Sequence, residues 1–90
     1  MRERLINVGQ KSFVNFDEII CIVSADAEKV RRFLNRWQIS KDSMQVINLT
    51  SDQETRSMII FKNGTIGLSS VNATVLAKRA NTDGSQSDNE

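Results

Sequence analysis

The chain of 90 residues contains no histidine, no proline and no tyrosine, and it has one cysteine and four glycines. The absence of histidine removes the usual general base at neutral pH and the commonest metal ligand. A single cysteine cannot supply the clusters that bind zinc. The glycines stand singly or flank a hairpin, so no Gly-rich phosphate loop occurs. These absences argue against an enzyme, and we expect no metal, no cofactor and no small-molecule substrate.

Cysteine usage and hydropathy indicate where the protein works. The single cysteine cannot form an internal disulfide, which favours the reducing cytoplasm. Because Cys21 stands inside the apolar run of residues 19–23, we expect it to be a small buried hydrophobe. No apolar run is long enough to cross a bilayer and no signal peptide is recognisable, so neither a membrane partner nor export is expected.

The charge of the chain is unevenly distributed. The formal net charge is only +1, but residues 81–90 contain Asp83, Asp88 and Glu90 and no base. These ten residues are polar and are predicted to form a disordered acidic tail. Residues 1–80 then form one domain with a net charge of +4, a mild positive field for a nucleic-acid binder acting alone. A core this small often gains stability from oligomerisation.

The element order predicts an α+β domain with a mostly antiparallel sheet of five to six short strands. Strands are expected at residues 5–9, 13–16, 19–23 and 44–50, followed by a hairpin. The run 19–23 is continuously apolar, so we expect it to be covered on both faces. One main helix is predicted over about 25–38, and a short C-terminal helix is predicted after Asn72.

Asn63-Gly64 lies between two apolar runs and predicts a two-residue type I′ turn. That turn would place Phe61 opposite Ile66 and Ile59 opposite Leu68. Arg56 would then stand at the far end of the first strand, beside the loop of residues 51–55. A basic group held there can reach an anionic partner. The alternative is that Arg56 only pairs with Asp52 or Glu54.

The main helix has an apolar and a basic side. We expect Ser24 to be its N-cap, and its apolar stripe contains Ala27, Val30, Leu34 and Trp37, widened by Phe33. On the other side, the spacing of Lys29, Arg32 and Arg36 places them on one exposed strip, and Arg31 adds a further base. Such a strip can follow a phosphate backbone, but it is also what any helix uses to stay hydrated.

Several short segments of the chain have the order and spacing of a known family pattern: Leu5-Ile6-Asn7-Val8-Gly9, Ile20-Cys21-Ile22-Val23-Ser24, Arg31-Arg32, Thr55-Arg56-Ser57-Met58-Ile59-Ile60, Leu68-Ser69 with Val71, and Ala77-Lys78-Arg79. In these segments the chain resembles the RemA family, small bacterial regulators of biofilm matrix genes. The resemblance covers about residues 5–79 and implies a domain that assembles into a closed ring and binds double-stranded DNA through arginines.

The chain departs from the family pattern at its basic positions. The family typically has Gly-Arg-Arg-Thr-Arg where this chain has Asp52-Gln53-Glu54-Thr55-Arg56, and a further family arginine falls on Glu18. Three arginines are thus replaced, a change of −5 charges per subunit. Because phosphate affinity scales with the number of contacted charges, this loss opposes the family's mode of binding.

Two hypotheses remain open. In the first, the protein is a DNA-binding transcriptional regulator that acts as a ring-shaped homo-oligomer and contacts mainly phosphates, with Arg56 retained and Lys29, Arg31, Arg32 and Arg36 supplying new contacts. In the second, it is an oligomeric scaffold of the same fold without DNA binding. Glu18 and Glu54 would then form salt bridges with neighbouring subunits or with a protein partner.

Overall fold

A computed structural model describes residues 4–9, 11–40 and 43–81. It confirms the α+β class, with six strands, two helices and one short 3-10 turn at Phe16–Glu18. The elements are β1 (Leu5–Gly9), β2 (Ser12–Asn15), β3 (Ile19–Ser24), α1 (Ala27–Arg36), β4 (Val46–Asn48), β5 (Ser57–Phe61), β6 (Ile66–Ser69) and α2 (Ala73–Asn81).

The strands form two sheets. Strands β1 and β2 make an antiparallel pair, and the other four form a sheet in the order β3-β5-β6-β4. Within it, β3, β5 and β6 are antiparallel, whereas β4 pairs in parallel with β6. Strands β3 and β4 therefore run in the same direction at opposite edges, and α1 connects them across one face of the sheet.

The four-stranded sheet has a hydrophobic core on each face, because successive strand residues point to opposite sides. On one face, Val30 and Leu34 of α1 contact Met58, Ile66 and Leu68. On the other face, Ile59 meets β1 and α2 through the buried side chains of Ile6, Val8 and Leu76. Both helices are thus anchored by fully buried aliphatic residues.

Helix α1 is shorter than predicted because its ends are fixed by specific contacts. Asp26, not Ser24, is the N-cap, and its side chain accepts a hydrogen bond of 2.9 Å from the backbone N–H of Lys29. At the other end Gln38 has φ +56°. The N–H of Ile39 donates to the Leu34 carbonyl and the N–H of Gln38 to that of Asn35, which is a Schellman C-cap.

The β5–β6 hairpin exists, but the predicted register was wrong by one residue. Ile59 lies opposite Gly67, and Met58 lies opposite Leu68. A type I′ turn needs positive φ at both central residues, yet only Gly64 has it, at φ +89°. The Gly64 N–H donates to the Phe61 carbonyl, and the Phe61 N–H donates to Thr65. The connection is therefore a three-residue loop with the glycine as a bulge.

Expectations about burial and about the end of α2 were also wrong. Strand β3 is covered on both faces only in part, because it is an edge strand, and Cys21 is exposed rather than buried. Ala27 and Trp37 are exposed although the stripe assigned them to the core. Asn81 belongs to α2 and not to a tail. The predicted tail beyond it, residues 82–90, lies outside the described part of the chain.

Candidate nucleic-acid interface

The outer face of α1 brings three of the predicted DNA-binding residues together. Lys29, Arg32 and Arg36 line one open groove with Phe33 and Asn35. Their side chains point away from the sheet because Val30 and Leu34 fix the opposite side of the helix in the core. This set of three cations is called the α1 basic strip below.

Ion pairing leaves most of the α1 basic strip available. Arg32 Nε lies 3.4 Å from Glu28 Oε2, and both side chains are exposed. Such surface pairs contribute about 0–1 kcal/mol, so a phosphate can compete with them. Lys29 and Arg36 have no acidic group within 4.0 Å in the part of the chain that the structure describes.

Arg31 lies outside the α1 basic strip. Its Nη2 is 2.6 Å from Glu28 Oε2. It lines a separate cleft of about 270 Å³ between α1 and the sheet, together with Asn48 and Thr55. Because Thr55 is adjacent to Arg56, this cleft joins the α1 helix to the loop that precedes β5.

The backbone of Arg56 is held on both sides. Its N–H donates to the Ser69 carbonyl at 2.8 Å, and its carbonyl accepts from the Ala25 N–H at 3.1 Å. The side chain is about half exposed, and its Nη2 lies 3.8 Å from Glu54 Oε1. The pairing considered as the alternative in the sequence analysis is therefore present, and it offsets part of the charge of Arg56.

The loop before Arg56 adopts a turn that suits glycine. Ser51 has φ +51° and Asp52 has φ +68°, in the left-handed region that L-residues seldom adopt. Thr50, whose N–H and hydroxyl both donate to Asn48 Oδ1, is buried at the start of this turn. The resemblance gives glycine at the position of Asp52, and glycine adopts this backbone conformation without steric cost.

Glu18 and Glu54 do not belong to one site within a single chain. Glu18 lies at the hairpin end of β5, where its carbonyl accepts from the N–H of Lys62 at 2.8 Å. Glu54 lies before the other end of that five-residue strand. At about 3.3 Å a residue, the strand separates the two ends by about 17 Å.

Two aromatic residues beside the α1 basic strip were missed as surface groups. Phe33 and Trp37 have ring centroids 6.2 Å apart at an interplanar angle of 46°. Phe33 is partly buried against the core, whereas Trp37 is 63% exposed. Phe33 widens the apolar stripe toward Lys29, whereas Trp37 lies in the stripe but at the C-cap of α1, where the helix ends. The place of Trp37 at the helix end is the signal that could have identified it as exposed.

The described residues contain no group of three or more Cys, Asp or Glu side chains placed to bind a metal ion. Across residues 4–9, 11–40 and 43–81, no helix has the length and hydropathy to span a bilayer.

Comparison with known proteins places the chain in a family. Residues 5–80 match the RemA-like family, described as extracellular matrix regulatory protein A-like. A relative from Brevibacillus brevis is 32% identical over 88 residues, covering 98% of this chain and 99% of its own. One from Carboxydothermus hydrogenoformans is 30% identical over 89 residues, covering 99% of each. Both are named "Putative regulatory protein". The chain therefore belongs to the RemA-like family.

Proposed function

We propose that this protein is a cytoplasmic, non-enzymatic transcriptional regulator that binds double-stranded DNA as a ring-shaped homo-oligomer. The observation that supports it best is the α1 basic strip, where Lys29, Arg32 and Arg36 share one groove on an anchored helix. Membership of a family of regulatory proteins agrees with it.

Assembly supplies the electrostatic attraction that one subunit lacks. A body of +4 is weak alone, but repetition around a ring lets several strips contact one duplex at once. Linked contacts raise the overall affinity steeply, because the second contact is made at a high effective concentration. Each neutralised phosphate also releases counterions, so binding depends strongly on salt.

The contacts are made mainly to the phosphate backbone. Lys29, Arg32 and Arg36 follow the duplex, while Arg31 and Arg56 add charge near the start of β5. The groove that the α1 basic strip lines contains no Gln and one Asn, Asn35, so direct reading of adenine edges is limited. Selection of sites then depends on DNA shape and deformability.

The test compares two charge reversals. The variant Arg32→Glu/Arg36→Glu should lose retention on duplex DNA between low and moderate salt, while light scattering shows an unchanged oligomer. Lys11→Glu/Lys62→Glu makes the same change of net charge at exposed bases away from α1, and it should weaken binding much less. Equal losses in the two variants would eliminate the strip as the contact surface.

A scaffold without DNA affinity is the second candidate function, and one contact favours it. Glu54 replaces an arginine of the family pattern and lies 3.8 Å from Arg56, the arginine that remains. If the intact oligomer shifts no duplex DNA even at low salt, the scaffold is correct. Firm binding near physiological salt rejects it.

A further inference from the structure

The outer edges of the four-stranded sheet contain no charged residue and no proline, although β4 is only three residues long and β3 has a register shift. Strands β3 and β4 have a neighbouring strand on one side only among the strands that the structure describes. Exposed edges are normally guarded by charged residues or proline, because their free N–H and C=O groups can pair with another chain. Neither edge has such a residue; the segments read Ile-Ile-Cys-Ile-Val-Ser and Val-Ile-Asn.

The two edges also match each other in direction. Because β3 and β4 run the same way, a second copy placed beside the first can align its β4 in parallel with β3. Residues that are paired across the four strands form rows, and these rows set the register of β3 against the β4 of a second copy. One row contains Cys21, Ile60, Ile66 and Val46, and the next contains Ile22, Ile59, Gly67 and Ile47.

We infer that β4 of one copy pairs in parallel with β3 of the next, so that the sheet continues from subunit to subunit. This inference rests on the proposed homo-oligomer and specifies its interface. In an unstaggered continuation, Val46 of the second copy lies beside Cys21, and Ile47 lies beside Ile22.

Side-chain shape supports this pairing. Ile47 is 44% exposed and lies on the sheet face that carries α2, because its row includes the core residue Ile59. On that same face, an apolar groove of about 280 Å³ runs along β3, between Ile20 and Ala77 and Ala80 of α2. Ile47 of the second copy fits this groove as an apolar knob. Ile20, which is 62% exposed, would be covered by the same contact.

Head-to-tail pairing uses both edges with one kind of interface. A two-fold pairing of β3 with a second β3 would leave every β4 edge and every Ile47 uncovered. Repeated head-to-tail contacts leave none uncovered once the assembly closes. The register shift between Ile19 and Cys21 adds local bending to β3, and bending favours closure over a flat filament.

Cysteine cross-linking tests the interface directly, because Cys21 is exposed and is the only cysteine. Met44 is exposed and precedes β4 by two residues. The Met44→Cys variant, treated with a short bismaleimide in the absence of DNA, should give a ladder of covalent multimers. The ladder should disappear in Met44→Cys/Cys21→Ser. Lys11→Cys, with its new thiol exposed near the β1–β2 turn, is the matched control and should give no ladder.

The remaining outcomes are distinct. A covalent dimer formed by the wild type, whose one thiol is that of Cys21, would overturn the inference in favour of a two-fold β3–β3 contact. An oligomer by light scattering without a ladder would overturn this interface and leave the proposed assembly standing. A particle of one subunit would overturn both, and the DNA titration described above would still measure DNA binding independently.

A second pair of variants needs no new cysteine. Ile47→Lys places a charge in the apolar groove and should reduce the mass measured by light scattering to that of one subunit at micromolar concentration. Phe13→Lys changes an exposed apolar residue on β2, outside the four-stranded sheet, and should keep the assembled mass. An Ile47→Lys protein of full assembled mass would overturn the inference.

Discussion

Three residues other than glycine have a left-handed backbone in the described chain: Gln38, Ser51 and Asp52. Gln38 follows the C-cap of α1, and Ser51 and Asp52 form the turn between β4 and β5. At Gln38 the geometry lets two backbone N–H groups satisfy the last carbonyls of α1. Since only glycine adopts this conformation without steric cost, the chain accepts strain at Gln38 to end the helix.

Replacing Gln38 by glycine should therefore stabilise the protein. We expect Gln38→Gly to raise the free energy of unfolding by about 1 kcal/mol, because it removes the steric cost of the left-handed C-cap. Urea unfolding at a fixed protein concentration measures the change, since an oligomer's stability depends on concentration. Gln53→Gly, at an exposed residue whose φ is not positive, should be neutral or destabilising. Equal gains in both variants would contradict this explanation.

A second prediction at the residue scale concerns the ion pair of Arg56. Glu54→Gln should tighten binding to duplex DNA at low salt, because it removes the acid 3.8 Å from the Arg56 guanidinium. If Arg56 gains one phosphate contact, the slope of log affinity against log salt should steepen by about 0.9. Fluorescence anisotropy at several salt concentrations measures both quantities.

Asp17→Asn is the control for that prediction. It makes the same change of net charge but removes a different ion pair, in which Arg4 Nη1 lies 3.3 Å from Asp17 Oδ1. If Asp17→Asn steepens the slope as much as Glu54→Gln does, the effect belongs to net charge and not to Arg56.

At the scale of elements, periodicity predicted what depends on local sequence. Helix α1, the C-terminal helix and all the strands were found near their predicted positions, because their apolar residues recur at helical or strand spacing. The shared face of Lys29, Arg32 and Arg36 follows from the same helical spacing. Helical periodicity predicts the face on which a side chain lies, because that face depends only on the sequence of the helix itself.

What the sequence could not predict depends on contacts between elements. The apolar run of β3 suggested burial on both faces, but its place at the edge of the sheet leaves Cys21 exposed. The parallel pairing of β4 with β6 follows from the path of α1 across the sheet and has no local signal. The pairing of Arg56 with Glu54 and the separation of Glu18 from that loop likewise needed the three-dimensional arrangement.

The start of α1 gives a test at the scale of elements. Asp26→Ala should lower the free energy of unfolding by about 1 kcal/mol, because the Lys29 N–H loses its side-chain acceptor and the helix loses a negative charge at its N-terminus. Ser24→Ala, at the residue that the sequence suggested as the cap, should change stability by less than about 0.5 kcal/mol. The reverse order of the two effects in urea unfolding would show that Ser24 caps the helix in solution.

At the scale of the whole molecule, the proposed DNA binding depends on the proposed assembly. Its bases are dispersed and its net charge is small, so one subunit produces a weak field. The proposed continuation of the sheet would repeat the α1 basic strip at a fixed interval, and that repetition converts a weak field into a continuous one. Assembly and DNA binding are then coupled, so Ile47→Lys should also reduce retention on DNA even though it adds a positive charge.

The acidic residues at the end of the chain provide the last prediction. Residues 82–90 contain Asp83, Asp88 and Glu90, and in an assembly these charges are repeated as often as the basic strip. Deleting residues 82–90, which leaves α2 complete to Asn81, should tighten DNA binding at low salt because three negative charges per subunit are removed. A chain of full length with Asp83→Asn, Asp88→Asn and Glu90→Gln should bind as tightly as the deletion if charge is the cause. Unchanged affinity in both proteins would show that the acidic end does not compete with DNA, and a gain in the deletion alone would attribute the effect to chain length.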